Sequence, residues 1–583
     1  MILSSAPSSG TSLTICELGL TAIAIAASYA FPTLGSSWFR RIEQVFGALA
    51  RRRNLAWGVV GLSDLALRLA ILPFCPVPSP FDANDFSFLL AADTFAHGRL
   101  TNPTPAMWTH FESIHITMQP TYMSMYFPAQ GLLLAAGKVL LGGPWLGVLC
   151  AAALMCAGIC WMLQAWLPPS WALLGGFIAV LRLGLFSYWI NSYSGGGSLA
   201  ALGGALVLGA LPRLMKAPRH RTAMLLAAGI ALLALTRPFE GLLLCIPVSV
   251  VLGRWIYSGK NRPSPAMLFR LAAFPLAMLI AAGSWLAYYD YRAFGSPTTL
   301  PYTVDRATYA VVPYYLWQST RPAPAYRYEV LRNFYTKYEV GDSAKLQTIS
   351  GFFPATLKKI RDTLFFFAGL ALLPLLFMLR RVLLDRRVRF LVLCVAILMA
   401  GMAIEIYLVP HYLAPFTAAI YALGLQAMRH LRHWRPEGNA AGLMLTRLMV
   451  LLCCVMTLLR LGEAPLHLVP RQWPPAQWIW SWYGPGDFGK DRAAIESSLE
   501  AQPGRQLVLV RYSQQHYPLN EWVYNSANID DSQVIWARES DVKNDLELIR
   551  YYQDRKVWLV EPDSDPAKVS PYQLPAQIAV AAH

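Results

Sequence analysis

The sequence predicts a polytopic α-helical membrane protein, with about 12–13 transmembrane helices, that closes with a small extramembrane α/β domain. Three observations predict this class. Apolar residues make up 55% of the 583 and charged residues only 14%, where a soluble domain carries about a quarter, and mean hydropathy is +0.39. The apolar residues gather in runs close to the roughly 20 that a helix needs to cross a bilayer. Lys and Arg, which outnumber Asp and Glu by 49 to 33, cluster in the short gaps between those runs. A disordered chain, a fibrous repeat and an ordinary soluble enzyme are excluded. The net charge of +16 is read as a membrane-orientation signal, so no nucleic-acid partner is expected.

The candidate spans, in order, are Leu13–Phe31, Leu55–Phe74, Ala129–Leu141, Trp145–Trp166, Trp171–Ile190, Gly196–Leu211, Met224–Leu235, Gly241–Ile256, Met267–Tyr289, Leu364–Leu379, Phe390–Val409, Tyr412–Met428 and Ala441–Leu461. The first lacks a basic segment before it and is long for a signal-peptide core, so it is read as a retained span despite Glu17. Basic groups at Arg40, Arg41 and Arg51–Arg53, at Arg213–Arg221, at Arg254–Arg270, at Arg380–Arg389 and at Arg429–Arg435 should all face the cytoplasm. Parity then places four stretches outside: the loop 75–126, the loop 290–361, the turn at His411 and everything after Leu461. Four candidate spans lie between Tyr126 and Arg213 where an odd number is required, and Ala129–Leu141, short and carrying Lys138, is expected not to cross fully.

The nine cysteines lie in or beside apolar runs and lack metal-finger spacing, so they are read as small packing residues. The domain reading is a membrane domain over 1–462, then an outer-face linker and small α/β domain over 463–583. The latter rests on helical segments alternating with the strands Leu507–Val510 and Val557–Val560.

Chemistry is concentrated in a few places. The loop beginning FDANDFSFLL carries Asp82, Asn84, Asp85, His97 and Arg99. Helical spacing from Asp85 to Ala96 puts Asp85 near a helix N-terminus, where a carboxylate is stabilised by the dipole. Asp82, Asn84 or Asp85 could equally serve as a plain N-cap. Arg237 and Glu240 lie in TRPFE, and Glu405, His411 and Tyr412 bracket the outer end of a later span. Charges at membrane depth are costly and should be paired or line a cavity. The Arg237 fork suits a phosphate oxygen; a mutual salt bridge with Glu240 is the alternative. Asp64 and Arg68, four apart in the second span, read as an internal ion pair. The loop 290–361 holds nine tyrosines interleaved with arginines, which fit a membrane interface or a clamp over a lipid-linked sugar. SYSGGGS, Ser192–Ser198, lacks a nucleotide-binding pattern and reads as close backbone packing.

With FDAND opening the first outer loop, YMSMYFPAQG returning it to the membrane, TRPFEGLLL at Thr236–Leu244 and VPHYLAP at Val409–Pro415, the chain resembles the polytopic C-type-fold (GT-C) glycosyltransferases. That group includes protein O-mannosyltransferases and the aminoarabinose transferases of lipid A. The resemblance implies a polyprenyl-phosphate-linked sugar donor, a membrane-lipid environment, a bacterial inner-membrane location with the site facing the periplasm or exterior, and transfer to a lipid, glycan or protein hydroxyl. Some members use a divalent metal ion, the one cofactor it implies. The family's loop opens with an acidic pair whose first member is the expected base. The aligned dipeptide here is Asn84-Asp85. Either Asp85 has taken over, Asp82 reaches the site, or activity is altered or lost. Asn84, His97, Arg99, Arg237, Glu240, Glu405, His411 and Tyr412 are the expected substrate-binding residues, and Asp85 and Asp82 the catalytic ones. A transporter and an inactive membrane scaffold are the competing readings.

Overall fold

The computed structural model describes residues 9–194, 196–258, 262–341, 343–463 and 489–573. The chain divides into two units, one built from residues 1–78, 148–283 and 353–486 and the other from 79–147, 284–352 and 487–583.

The protein is an α-helical membrane protein. Among the described residues, six helices are long and apolar enough to cross a bilayer: Leu13–Ala30, Pro144–Trp166, Ser198–Lys216, Pro238–Ser258, Pro265–Phe294 and Ala441–Gly462. A seventh span would be the pair Leu373–Leu384 and Arg389–Ile404, bent by 112°. The other expected spans are shorter or more polar. Pro128–Leu141, the segment expected not to cross, is 14 residues long, about 21 Å against a hydrocarbon core of about 30 Å. Arg53–Ala70 has 18 residues but carries Arg53, Asp64 and Arg68. Arg40 and Arg41, expected in a loop, lie on a separate amphipathic helix, Ser36–Arg51.

The first unit is an all-helical core in which small residues such as Cys156, Ala201, Ala205, Ala418, Ala422 and Cys453 are fully buried. All nine thiols are free. The glycine run packs closely, as its composition suggested: a Cβ at Gly197 would sit 2.5 Å from the Ala414 Cβ.

The expected span Leu364–Leu379 is broken. The Ile349–Phe367 helix ends and a 3₁₀ segment follows at Leu373–Met378. A buried charge sits at the break. Arg182, in a π-helical turn at Val180–Gly184, donates to the carbonyls of Phe365 (3.4 Å), Phe366 (3.3 Å) and Phe367 (3.2 Å). It thereby satisfies the acceptors that a helix end leaves open. Glu17 lies 3.8 Å from Arg182 and accepts the Ala371 N–H at 3.1 Å. The polar residue that stood out in the first span therefore completes an internal pair. Asp64 and Arg68 are each held by other groups. Arg68 donates to the carbonyls of Cys75 and Pro76 and to Asn191 Oδ1, and Asp64 accepts from the Cys156 thiol.

The second unit is α/β. Strands β1 (Asn102–Pro103), β2 (Ile116–Thr117) and β3 (Thr121–Ser124) form a small antiparallel sheet in the order β1-β3-β2. Strands β4 (Arg505–Val510), β5 (Val534–Arg538), β6 (Arg555–Glu561) and β7 (Lys568–Pro571) form a second sheet in the order β5-β4-β6-β7, with β4 parallel to β5 and β6. Strand β4 reads RQLVLV because both faces are covered. Val508 and Val510 pack with Val534, Trp536 and Leu499. Leu507 and Leu509 pack with Ile535, Leu548 and, from far upstream, Leu90, Phe111, Ile116 and Tyr122. This C-terminal sheet shares a core with residues 79–147. Buried Arg538 reinforces the joint by donating to Glu521 Oε2 at 2.6 Å, which also accepts from Ser113 Oγ at 2.9 Å. Strand β5 had no counterpart in the sequence reading.

Candidate functional site

In the second unit the Ala83–Ala96 helix begins at Asp82, whose extended backbone and carboxylate make it the N-cap. Asp82 Oδ1 accepts the Asp85 N–H at 2.7 Å. Of the three capping candidates the cap falls on Asp82. Asp82 and Asp85 are both buried, 6% and 1% exposed. The Asp82 backbone bridges Asn520, and Phe81 O accepts the Glu521 N–H at 3.1 Å, which fixes the helix start. Burial raises the Asp82 pKa, with the N–H of Asp85 and the side chain and backbone of Asn84 opposing it.

Asn84 lies two residues after the cap. Its Oδ1 accepts the Tyr126 hydroxyl, and Tyr126 lies 3.1 Å from His115 Nδ1. Tyr126 has one proton to give, so His115 Nδ1–H donates to it in turn. Burial, with a contribution from Arg306, pushes the His115 pKa down to about 3, so the Asn84–Tyr126–His115 chain is uncharged at neutral pH. Asn84 keeps the hydrogen-bond acceptor of an acid and loses its basicity. Any carboxylate base at this helix start is Asp82 or Asp85.

His97 and Arg99 are not brought to these carboxylates. His97 caps the far end of the helix and lies against the Asp93 carbonyl at 2.8 Å. Twelve helical residues put it about 18 Å along the axis from Asp85. Asp93 is engaged by Lys138 at 2.6 Å and by the Ala527 N–H at 2.8 Å, so this end of the helix is a structural joint. Gly131 permits the approach of the neighbouring helix, since a Cβ there would meet Ala91 at 2.6 Å.

Of the tyrosines of the loop 290–361, Tyr309 and Tyr335 are buried, Tyr291 and Tyr338 are exposed, and several stack on one another. Tyr309 stacks on Tyr335 at 5.6 Å, Tyr326 on Tyr335 at 6.0 Å, and Tyr302 on Tyr314 at 4.8 Å. Beside them Asp305 is fully buried, and neither carboxylate oxygen has a hydrogen-bond partner. Burial lifts its pKa to about 7, with Arg306 opposing and Glu339 adding to the rise.

In the first unit, Arg237, Glu240, Glu405, His411 and Tyr412 lie near one another. Pro238 opens the Pro238–Ser258 helix, placing Arg237 one residue before it and Glu240 in its first turn. Their side chains approach to 3.8 Å, so the mutual salt bridge is present. The Arg237 guanidinium also lies over the Tyr412 ring, 4.5 Å from its centre, and Glu405 lies within its electrostatic reach. The side chain of Arg237 is 24% exposed, that of Glu240 only 5%. His411 is fixed by Tyr188, whose hydroxyl lies 2.9 Å from Nδ1 and accepts the His411 N–H at 3.0 Å. Lys359 caps the Arg389–Ile404 helix by donating to the carbonyls of Met402, at 2.8 Å, and Glu405. Sequence reasoning missed Tyr188 and Lys359. Tyr188 was hidden in the aromatic run LFSYWI, and Lys359 in the cationic stretch LKKIRD.

No protein-family profile matches the sequence, and no curated protein matches it. Among solved structures, the chain is similar to ArnT from Cupriavidus metallidurans bound to undecaprenyl phosphate, at 14% identity and a TM-score of 0.46 over 87% of this chain and 93% of that one. It is also similar to the oligosaccharyltransferase AglB from Archaeoglobus fulgidus in complex with an inhibitory peptide and a dolichol-phosphate. There the identity is 11% and the TM-score 0.45, over 87% of this chain and 69% of that one. Both are C-type-fold glycosyltransferases, the group the sequence resembles.

A further Archaeoglobus fulgidus oligosaccharyltransferase structure is a complex with zinc and sulfate. In the present chain, no three His, Cys, Asp or Glu side chains among the described residues converge as a metal site would need. Asn84 is a neutral amide that accepts the Tyr126 hydroxyl. The donor set does not fit a tightly held divalent ion.

Proposed function

We propose that the protein is a membrane glycosyltransferase that moves a sugar from a polyprenyl-phosphate carrier to a hydroxyl of a lipid, glycan or protein. The observation that carries this reading is the pair of buried carboxylates, Asp82 and Asp85, in the first turn of the helix that opens the loop where the family places its base. In the reaction the acceptor hydroxyl gives its proton to the carboxylate, and its oxygen bonds to the anomeric carbon. The bond from that carbon to the phosphate oxygen breaks, and the polyprenyl phosphate leaves with the electron pair. Proton acceptance of this kind contributes about 10²–10⁴-fold. Arg237, a partly accessible cation of the first unit braced by Tyr412 and Glu240, is separately proposed as a phosphate-binding residue. The proposed location is the bacterial inner membrane, with the reaction on the periplasmic or exterior side.

The test is to incubate the purified full-length protein with a panel of polyprenyl-phosphate sugars and an acceptor-containing lipid extract. Release of the carrier phosphate, with loss of donor binding in Arg237→Ala, supports the reading. Binding without release would favour a second one, a carrier-binding protein without transfer activity, which Asn84 in the family's acidic position supports. Absence of both binding and release removes the glycosyl-transfer reading.

A further inference from the structure

The Ser36–Arg51 helix, SSWFRRIEQVFGALAR, is used by nothing described so far. Trp38, Ile42, Val45 and Leu49 recur at helical spacing and share one face. That face is open: Trp38 is 69%, Ile42 62% and Val45 74% exposed. The opposite face is tied down within the same unit. Gly47 and Ala50 are buried. Glu43 accepts hydrogen bonds from Arg432 at 3.1 and 2.9 Å, and from Arg447 at 3.0 and 3.3 Å. The single acid of the helix is thereby neutralised, and its rotation about its own axis is set.

Between the open face and Phe177 runs an open groove of about 590 Å³, walled by Trp38, Ile42, Val45, Leu49 and Phe177, with Arg41 at its edge. Arg40 and Arg41 near one end of the helix, and Arg51, Arg52 and Arg53 at the other, are all exposed. An apolar groove rimmed by cations is complementary to a molecule with a hydrocarbon tail and an anionic head. An amphipathic helix with this pattern lies along a membrane interface.

We infer that the Ser36–Arg51 helix is an interfacial helix whose groove against Phe177 binds an anionic glycerophospholipid, acyl chain against Trp38, Ile42, Val45 and Phe177 and phosphate at Arg41. The site is separate from the proposed donor-binding residues and holds a structural lipid rather than a substrate. A basic residue near an anionic membrane surface contributes enough to change affinity about fivefold, so Arg41 should set headgroup preference while the apolar wall sets retention.

The test uses the full chain in phosphatidylcholine nanodiscs, with trace phosphatidylglycerol carrying a diazirine in one acyl chain. After photolysis, mass spectrometry should find the label on the Trp38–Leu49 peptide and on Phe177. Unlabelled phosphatidylglycerol should compete about fivefold better than phosphatidylcholine of the same chains. Arg41→Gln should erase that preference, and Val45→Asp, at an exposed position that folding does not need, should abolish labelling with the melting temperature unchanged. Label spread evenly over other exposed apolar positions such as Val250 and Phe269 would overturn the proposal. So would equal competition by the two lipids, or a cross-link from this helix to a second copy of the chain.

Discussion

Asp82 Oδ1 accepts the backbone N–H of Asp85 at 2.7 Å, so one candidate base caps the helix on which the other rides. The two roles of Asp82 separate by substitution. Asn is as good an N-cap as Asp, so Asp82→Asn keeps the cap and removes the charge. Asp82→Ala removes both and should cost about 1 kcal/mol of stability. If Asp85 is the base, Asp85→Asn lowers kcat about 10²–10⁴-fold with donor affinity unchanged, and Asp82→Asn stays active. If Asp82 is the base the two results exchange. Carrier-release kinetics beside donor titration decide it, and full activity in both variants would remove this helix start from the chemistry.

Asp305 makes a pH prediction. Its carboxyl is lifted to about 7, whereas in an unfolded chain it ionises near pH 4. Between these values the folded state holds a proton that the unfolded state has lost, so this group's contribution to stability declines as pH rises. His115, pushed down to about 3, acts in the opposite sense, because below about pH 6.5 only the unfolded chain takes up its proton. The difference between Asp305→Asn and the parent isolates Asp305. The two melting temperatures should change little relative to each other below pH 4, and the variant should gain steadily between pH 4 and about 7 and level off above that. A difference independent of pH would show that Asp305 is already ionised.

The Arg182 network should be a stability element. Arg182→Met leaves Glu17 buried without its cation and removes the side-chain donor from the carbonyls of Phe366 and Phe367, while Phe365 keeps the Gly369 N–H. Breaking a buried pair in this way costs about 3–5 kcal/mol. Glu17→Gln combined with Arg182→Met should recover part of that loss, since a neutral amide is cheaper to bury. Thermal unfolding in detergent measures both, and a single variant as stable as the parent would show the pair to be dispensable.

The shared core predicts the behaviour of a fragment. Residues 489–573 expressed alone would expose Leu507, Leu509 and Ile535, which pack with Leu90, Phe111 and Ile116. The fragment should aggregate or bind a hydrophobic dye strongly. A monomeric fragment with a cooperative melt would restore the C-terminal segment as a domain in its own right.

How much was legible in the sequence depended on the range of the interaction. The helix start at Asp82 could be read because capping spans three residues, and strands Leu507–Val510 and Val557–Val560 because each is a continuous apolar run. The Ser36–Arg51 helix was overlooked although Trp38, Ile42, Val45 and Leu49 carry its period, because its arginines were counted as loop signals. Arg182 and Lys359 were passed over because each acts on carbonyls remote in sequence, which no local pattern reports. The separation of His97 and Arg99 from Asp85 was, by contrast, implicit in the helical spacing itself, since 1.5 Å per residue carries them a full helix length away. The sharing of one sheet face with residues 79–147 follows from long-range packing alone.

That sharing has a temporal consequence. Strand β3 ends at Ser124 and strand β4 begins at Arg505. At about 5–20 residues per second, a ribosome takes roughly 20–80 s to travel from one to the other. Throughout that interval Leu90, Phe111, Ile116 and Tyr122 are made but lack the sheet that will cover them. The second unit is therefore completed last during biosynthesis, and its early segment depends on being shielded, by membrane or chaperone, until the end of the chain arrives.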